Sequence, residues 1–295
     1  MNLGVRAISC LSIIVLLSGC GLTSNQIVKI HSFGAATANI GKLGEEEFIN
    51  IRNGIIEMNK ELVSIDNTKK ADSLAFDKPT FAEPTSKRIA ASKVLKLYGE
   101  LLTKLVSEDR SEYLQKAANS LLDNTSAALG KDLSDEKKGA INEIIVGIGS
   151  FWVEKKKSDA AKEIISAYQQ AVNELADLLG EDFSLDDDSL GYLKAYETVA
   201  KRLKNASMGL VNAGDKYSVL ERDRAVHALV LAQMAITRSN ELSSKAKKSI
   251  DGLKKANTEL VKVINNQEYS TDDIKNYAKQ IQELVNMYQV LSNQY

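Results

Sequence analysis

The side chains that usually carry enzyme chemistry are few and scattered in this sequence. The two histidines, His31 and His227, each lack a second histidine at the helical spacing of a metal site. Gly34 and Gly41 lie too far apart for a phosphate-binding loop, although a lysine follows the second glycine. These patterns predict no catalytic, cofactor or metal site, and we expect that the chain is not an enzyme.

An acidic stretch at 181–188 invites comparison with a calcium-binding loop. Leu190 stands where such a loop needs an oxygen ligand, so the match is incomplete. We therefore interpret 186–188 as the first turn of a helix, in which Ser184 and Asp187 form a capping box. The residues that do match loop positions are Asp186, Asp188, Gly191 and Glu197.

Both cysteines lie in an N-terminal segment that has the pattern of an export signal. Arg6 is its only charged residue, and a short apolar run from Ile8 to Leu17 is closed by small residues. The run is too short for a membrane span, which needs about 20 apolar residues. The sequence Leu17-Ser18-Gly19-Cys20 resembles the lipobox of bacterial lipoproteins.

This resemblance implies that residues 1–19 are a signal peptide and that Cys20 carries the lipid. Gly21 stands where an Asp would favour inner-membrane retention, so the resemblance implies the outer membrane. Cys10 leaves with the leader, and the mature chain then has no free thiol. A soluble export signal with an incidental cysteine is the alternative.

The composition is that of a globular protein, with 44% apolar and 26% charged residues. A formal net charge of -1 argues against a general nucleic-acid binder, which would be basic. The chain has 2 prolines, and this scarcity predicts long uninterrupted helices. Pro79 and Pro84 both fall in 67–85, which is the clearest loop.

Apolar residues recur at helical spacing along most of the chain. Steps of three and four connect Phe48 to Ile65, and the same register continues backwards through small residues to Ile27. We favour a first helix from about Glu45. Residues 20–44 are then a lipidated N-terminus that is either a tether or the start of this helix, where glycines would let a neighbouring helix approach closely.

Similar patterns later in the chain predict an all-α fold for residues 45–295. The expected architecture is an elongated antiparallel bundle of five to seven long helices with coiled-coil-like packing. Asn257 lies on the seam of a long helix, and we favour a solvated edge for it over a buried, register-fixing role. The seam of the last helix contains Tyr277, Tyr288 and Tyr295, which we expect in the core rather than on an exposed binding face.

One apolar segment, 140–153, precedes three lysines at 155–157. Burial in the bundle is the favoured interpretation, and contact of this segment with a membrane surface is the alternative. Trp152 suits both, because a tryptophan fits a core edge or a headgroup layer.

The leading functional hypothesis is a lipid-anchored, non-enzymatic envelope protein that binds a protein partner. It would be a scaffold, or an inhibitor of a toxin or phage factor. One alternative is a membrane-remodelling or pore-forming protein that inserts 140–153. Another is a carboxylate-dependent cell-wall hydrolase, for which the sequence nominates no pair of acidic residues.

Overall fold

A computed structural model describes residues 21–66, 76–107, 111–129, 154–186, 188–213, 216–265 and 272–292. These residues form a bundle of seven α-helices and contain no strand, which confirms the all-α prediction. The helices are α1 (Ser24–Ile65), α2 (Ala82–Ser107), α3 (Ser111–Leu129), α4 (Glu154–Asp182), α5 (Tyr192–Asn212), α6 (Val219–Ile264) and α7 (Asp272–Ser292).

The first helix begins at Ser24, so the favoured start near Glu45 is wrong and the tether alternative fails. Thr23 caps the helix by accepting a hydrogen bond from the Gln26 backbone N–H at 3.2 Å. The Gln26 side chain accepts in return from the Thr23 N–H at 2.9 Å, which completes a capping box. Gln26 also donates to the Val263 carbonyl at 2.9 Å, and this bond ties the start of α1 to the end of α6.

Glycines let α1 and α2 approach until their backbones touch. A Cβ on Gly34 would lie 2.8 Å from the Gly99 carbonyl oxygen, and one on Gly41 would lie 2.6 Å from the Ser92 carbonyl oxygen. Neither distance leaves room for a side chain. The small residues that weaken α1 as an isolated helix are therefore the residues that α2 packs against.

The longest helix, α6, runs antiparallel to α1 along its whole length. Contacts between the two connect Gln26 with Val263, Glu47 with Arg238, and Glu61 with Arg224. The end of the bundle that holds Ser24 is called the anchor end below, and the end that holds Val219 is called the distal end. About 65 Å separates them, because each helical residue rises about 1.5 Å.

The last helix, α7, packs on α1 and α6 through the tyrosines of its seam. Tyr277 is fully buried, and its hydroxyl lies 3.2 Å from the Thr37 hydroxyl. Tyr288 is also buried, and its hydroxyl accepts a hydrogen bond from Asn50 at 2.7 Å. The core prediction is confirmed for these two tyrosines, whereas Tyr295 lies outside the described residues.

Two shorter helices, α4 and α5, follow each other along α6. Near the anchor end α4 packs on α6, and there Asn257 donates to the Gln169 carbonyl and to Asn173, each at 2.9 Å. Asn257 is fully buried, so the favoured solvated edge is wrong. The hydrogen-bond partners of its amide lie on α4, far away in the chain, so helical spacing in the sequence could not reveal them. Towards the distal end α5 takes the place of α4 beside α6.

Two loop predictions need correction. Pro84 lies in the first turn of α2 and not in a loop, because first-turn N–H groups need no partner within the helix. Asp186 and Asp188 do not belong to the helix, since α5 begins at Tyr192 with Gly191 as its N-cap. The Ser184 hydroxyl accepts instead from the Asp186 N–H at 3.1 Å within the loop, and Asp187 lies outside the described residues.

Several predictions concern parts of the chain outside the described residues. These are the signal peptide with Cys20 and the segment 140–153 with Trp152. Within the described ranges, none of the helices has both the length and the apolar content that a membrane crossing requires.

Substituting Gly41→Ala tests the contact between α1 and α2. The new methyl group would collide with the α2 backbone, so we expect a loss of about 2 kcal/mol in the free energy of unfolding. The matched control is Gly209→Ala on α5, where an added Cβ meets nothing within 4 Å. This control should gain about 0.5–1 kcal/mol through helix propensity. Urea denaturation followed by circular dichroism measures both, and equal effects would contradict the packing described.

Candidate functional site

Among the described residues, the most deeply buried ion pair connects α1 and α6. Glu47 accepts from the Arg238 guanidinium at 3.2 Å and 2.5 Å, and both side chains are buried. Burial raises the pKa of the Glu47 carboxyl, and the hydrogen bonds from Arg238 oppose that rise. The Arg238 guanidinium also lies 5.6 Å from the centre of the Tyr288 ring. A pair so enclosed fixes helix register and is not accessible to a substrate.

A second group of polar side chains holds the junction between α4 and α5. Asp182, at the end of α4, pairs with Arg88 of α2 at 2.8 Å. The Arg88 guanidinium lies 4.0 Å from the centre of the Tyr192 ring, a cation–π geometry. The Tyr192 hydroxyl donates to the Thr80 carbonyl at 2.7 Å. Burial raises the pKa of the Asp182 carboxyl, against the effect of Arg88.

An open cleft of about 790 Å³ lies beside this junction, between the loop after α4 and the middle of α6. Asp186 and Asp188 line it, together with Asp177, whose carboxylate lies 2.5 Å from the Lys254 ammonium. Glu197, the last calcium-loop candidate, instead pairs with Lys201 at 2.8 Å. The described residues contain no group of three or more acidic, His or Cys side chains that could hold a metal ion.

Six of the thirteen exposed large apolar side chains in the described residues lie at the distal end of the bundle. There α5 and α6 form an antiparallel pair, and α1 covers one side of it. Val219 and Leu220, at the start of α6, are 86% and 78% exposed. Contiguous exposed apolar surface marks interaction sites on proteins that are otherwise polar outside. The exposed large apolar residues at this end are Met208, Tyr217, Val219, Leu220, Val226 and Val230.

A groove runs between the outer faces of α5 and α6 within this surface. Its volume is about 400 Å³, and no residue of α1 lines it. The Lys204 ammonium closes one end by donating to the Gln233 side chain at 2.9 Å. We call this feature the distal groove. Its walls include Lys204, Met208 and Val211 of α5 and Leu229, Val230 and Gln233 of α6.

The pattern of α6 explains why these valines are exposed. Small alanines occupy the buried seam of its distal half, at Ala225, Ala228 and Ala232. Val226 and Val230 lie off that seam and face outward, one turn apart. The sequence analysis did not predict the groove. The signal that could have revealed it is the second apolar stripe on α6, which indicates a second contact surface.

The histidines take no part in any of these sites. His31 and His227 lie on exposed faces of α1 and α6. The predicted lipid-attachment residue, Cys20, lies just before the first described residue. Among the described residues, the distal groove is thus an open, largely apolar surface, and two buried ionic groups position the helices.

Comparison with known proteins gives no relative from which a function could be transferred. No family model matches the chain, and no curated protein or solved structure matches it.

Removing one partner of the buried ion pair tests its role in stability. Glu47→Leu leaves the Arg238 guanidinium buried without a counter-charge, which we expect to cost about 3–5 kcal/mol of unfolding free energy. The double variant Glu47→Leu/Arg238→Met should return to within about 2 kcal/mol of the wild type, because no charge is stranded. Denaturant unfolding measures both. Glu57→Gln, which breaks the exposed ion pair with Lys60 within α1, is the control and should leave the midpoint unchanged. A double variant as unstable as the single one would show that the instability does not come from an unpaired buried charge.

Proposed function

We propose that this protein is a lipid-anchored, non-enzymatic envelope protein that binds a protein partner through the distal end of its helical bundle. The observation that carries the proposal is the exposed apolar surface around the distal groove. Elsewhere the described helices bury their apolar seams against one another. The α5–α6 pair is covered by α1 on one side and is open on the other.

The position of the anchor supports a role at a distance from the membrane. Only three residues separate Cys20 from the start of α1 at Ser24, so an acylated Cys20 would hold the anchor end within about 15 Å of the lipid. The distal groove would then lie about 50 Å beyond the anchor end if the bundle stands upright, since its α6 wall is at Leu229 and Val230. A surface in that position is suited to a protein partner rather than to the lipid that holds the anchor.

A stiff bundle with its binding surface at the far end suits both roles that we consider. A scaffold needs a fixed distance between its membrane and its partner, and an inhibitor needs a rigid surface that meets an incoming toxin or phage factor. The preformed groove favours either role over a flexible tether, because little ordering entropy is lost on binding.

Metabolic labelling with an alkyne-tagged palmitate tests the anchor. The wild-type protein should incorporate the label, and Cys20→Ala should lose it because Cys20 is the residue that carries the lipid. Cys10→Ala is the matched control and should keep the label, since Cys10 would leave with the signal peptide. Labelling that persists in Cys20→Ala would contradict the proposed anchor.

Site-specific photo-crosslinking in intact cells tests the partner-binding role. A photoreactive residue at Met208 or at Val230, on opposite walls of the distal groove, should give an adduct of the same partner. The control positions are Val28 and Val290, which are 57% and 59% exposed on other helices and should not give that adduct. Identical adducts at all four positions, or none at any of them, would contradict binding through the groove.

A further inference from the structure

The shape and the charge of the distal groove indicate what kind of protein surface fits it. We propose that the groove receives an amphipathic helix of the partner, whose apolar residues fill it and whose carboxylates face the α5 wall. This inference rests on the partner-binding function proposed above.

The groove has the form of a missing helix position. Two antiparallel helices in contact create a groove on each side of their line of contact, and α1 fills the one on its side of the α5–α6 pair. The open groove extends from Lys204 to Val211, a distance of about 10 Å along α5. Two turns of a helix with apolar residues at i, i+4 and i+7 span that distance.

The apolar walls suit aliphatic anchors. Met208 and Val230 face each other across the groove, at 41% and 52% exposure. A methionine adjusts its shape to an incoming side chain more readily than a branched residue does. Val219 and Leu220 continue the apolar surface beyond Val211, so the partner helix can extend past the end of α5.

The α5 wall makes one side of the groove positively charged. From Lys201 to Asn212 the helix carries no carboxylate. Lys201 already pairs with Glu197 at 2.8 Å, so Arg202 and Lys204 are the cations of this stretch that can meet a partner. Lys204 lines the groove itself. On the α6 side the carboxylates Glu221 and Asp223 lie near the helix start, and Glu221 accepts the Ser218 N–H at 2.7 Å in the helix cap. Carboxylates on the partner helix would therefore meet cations along α5.

The charge of the α5 wall favours an acidic amphipathic helix over a basic one of the same shape. A basic amphipathic helix would bring its cations against Lys204. An exposed charge pair contributes up to about 1 kcal/mol. Each pair that an acidic partner helix forms therefore raises its affinity up to about fivefold. The preference should weaken as salt is added, because exposed charges are screened.

Two designed helical peptides of equal length test the inference. Both carry leucines at i, i+4 and i+7, and they differ only in flanking residues, which are Glu in one and Lys in the other. Binding is measured by fluorescence anisotropy to the full-length protein in phosphatidylcholine nanodiscs. We expect the Glu peptide to bind about fivefold more tightly than the Lys peptide at low salt. Equal affinities, tighter binding of the Lys peptide, or no binding of either would overturn the inference.

Variants assign the binding to the groove. Val230→Glu should weaken the Glu peptide at least about tenfold, because it places a carboxylate on the apolar wall. Val28→Glu, on the anchor-end face of α1, is matched in exposure and should change nothing. Lys204→Glu should reverse the preference between the two peptides, whereas Lys204→Arg should preserve it. An unchanged preference in Lys204→Glu would overturn the charge assignment.

The outcomes separate this inference from the function on which it rests. A specific adduct at Met208 and Val230 without a charge preference for the peptides would keep the partner-binding role and overturn the acidic helix. Absence of the adduct together with absence of peptide binding would overturn both. Binding of the protein to phosphatidylglycerol vesicles that is lost in Val230→Glu would identify a membrane as the occupant and overturn the inference as well.

Discussion

The fold depends on the backbone contact between α1 and α2. Gly34 and Gly41 of α1, with Gly99 of α2, remove the side chains that would otherwise keep the two helices apart. Close approach lets many weak dispersion contacts form along both helices, and this offsets the helix propensity that the glycines lose. It also fixes the rotation of α1 about its axis, so Phe33 and Phe48 face the core.

From that fixed rotation the other neighbours of α1 take their places. Phe33 packs against Tyr277 of α7 with ring centres 5.6 Å apart, and Phe48 packs against Phe183 and Tyr192 at 5.2 Å and 5.7 Å. Glu47, next to Phe48, then points at Arg238 of α6. An ion pair in this position contributes little net stability, but a shifted register would leave both charges buried and unpaired. Hydrophobic contacts thus hold the bundle together, while buried polar groups select one alignment of its helices.

The same alignment creates the distal groove. One long helix, α6, is matched on one side by two shorter ones, and α4 ends at the junction that Asp182, Arg88 and Tyr192 hold together. Beyond that junction α5 and α6 continue as a pair with α1 on one side. The apolar residues on their outer faces, such as Val226 and Val230, lie off the buried seam and stay exposed.

Sequence periodicity by itself determined the helical class and the core positions of Tyr277 and Tyr288, whereas it left open whether the glycines of α1 belong to a packed helix or to a tether. These follow from local spacing, since residues three and four apart share a helix face. Tertiary structure decided the burial of Asn257 and the pairing of Glu47 with Arg238, because each needs a partner far away in the chain. It also decided which apolar stripe of α6 is core and which is surface. A stripe of valines has the same sequence pattern whether a helix covers it or not, and only the path of α1 and α5 leaves the stripe at Val226 and Val230 open.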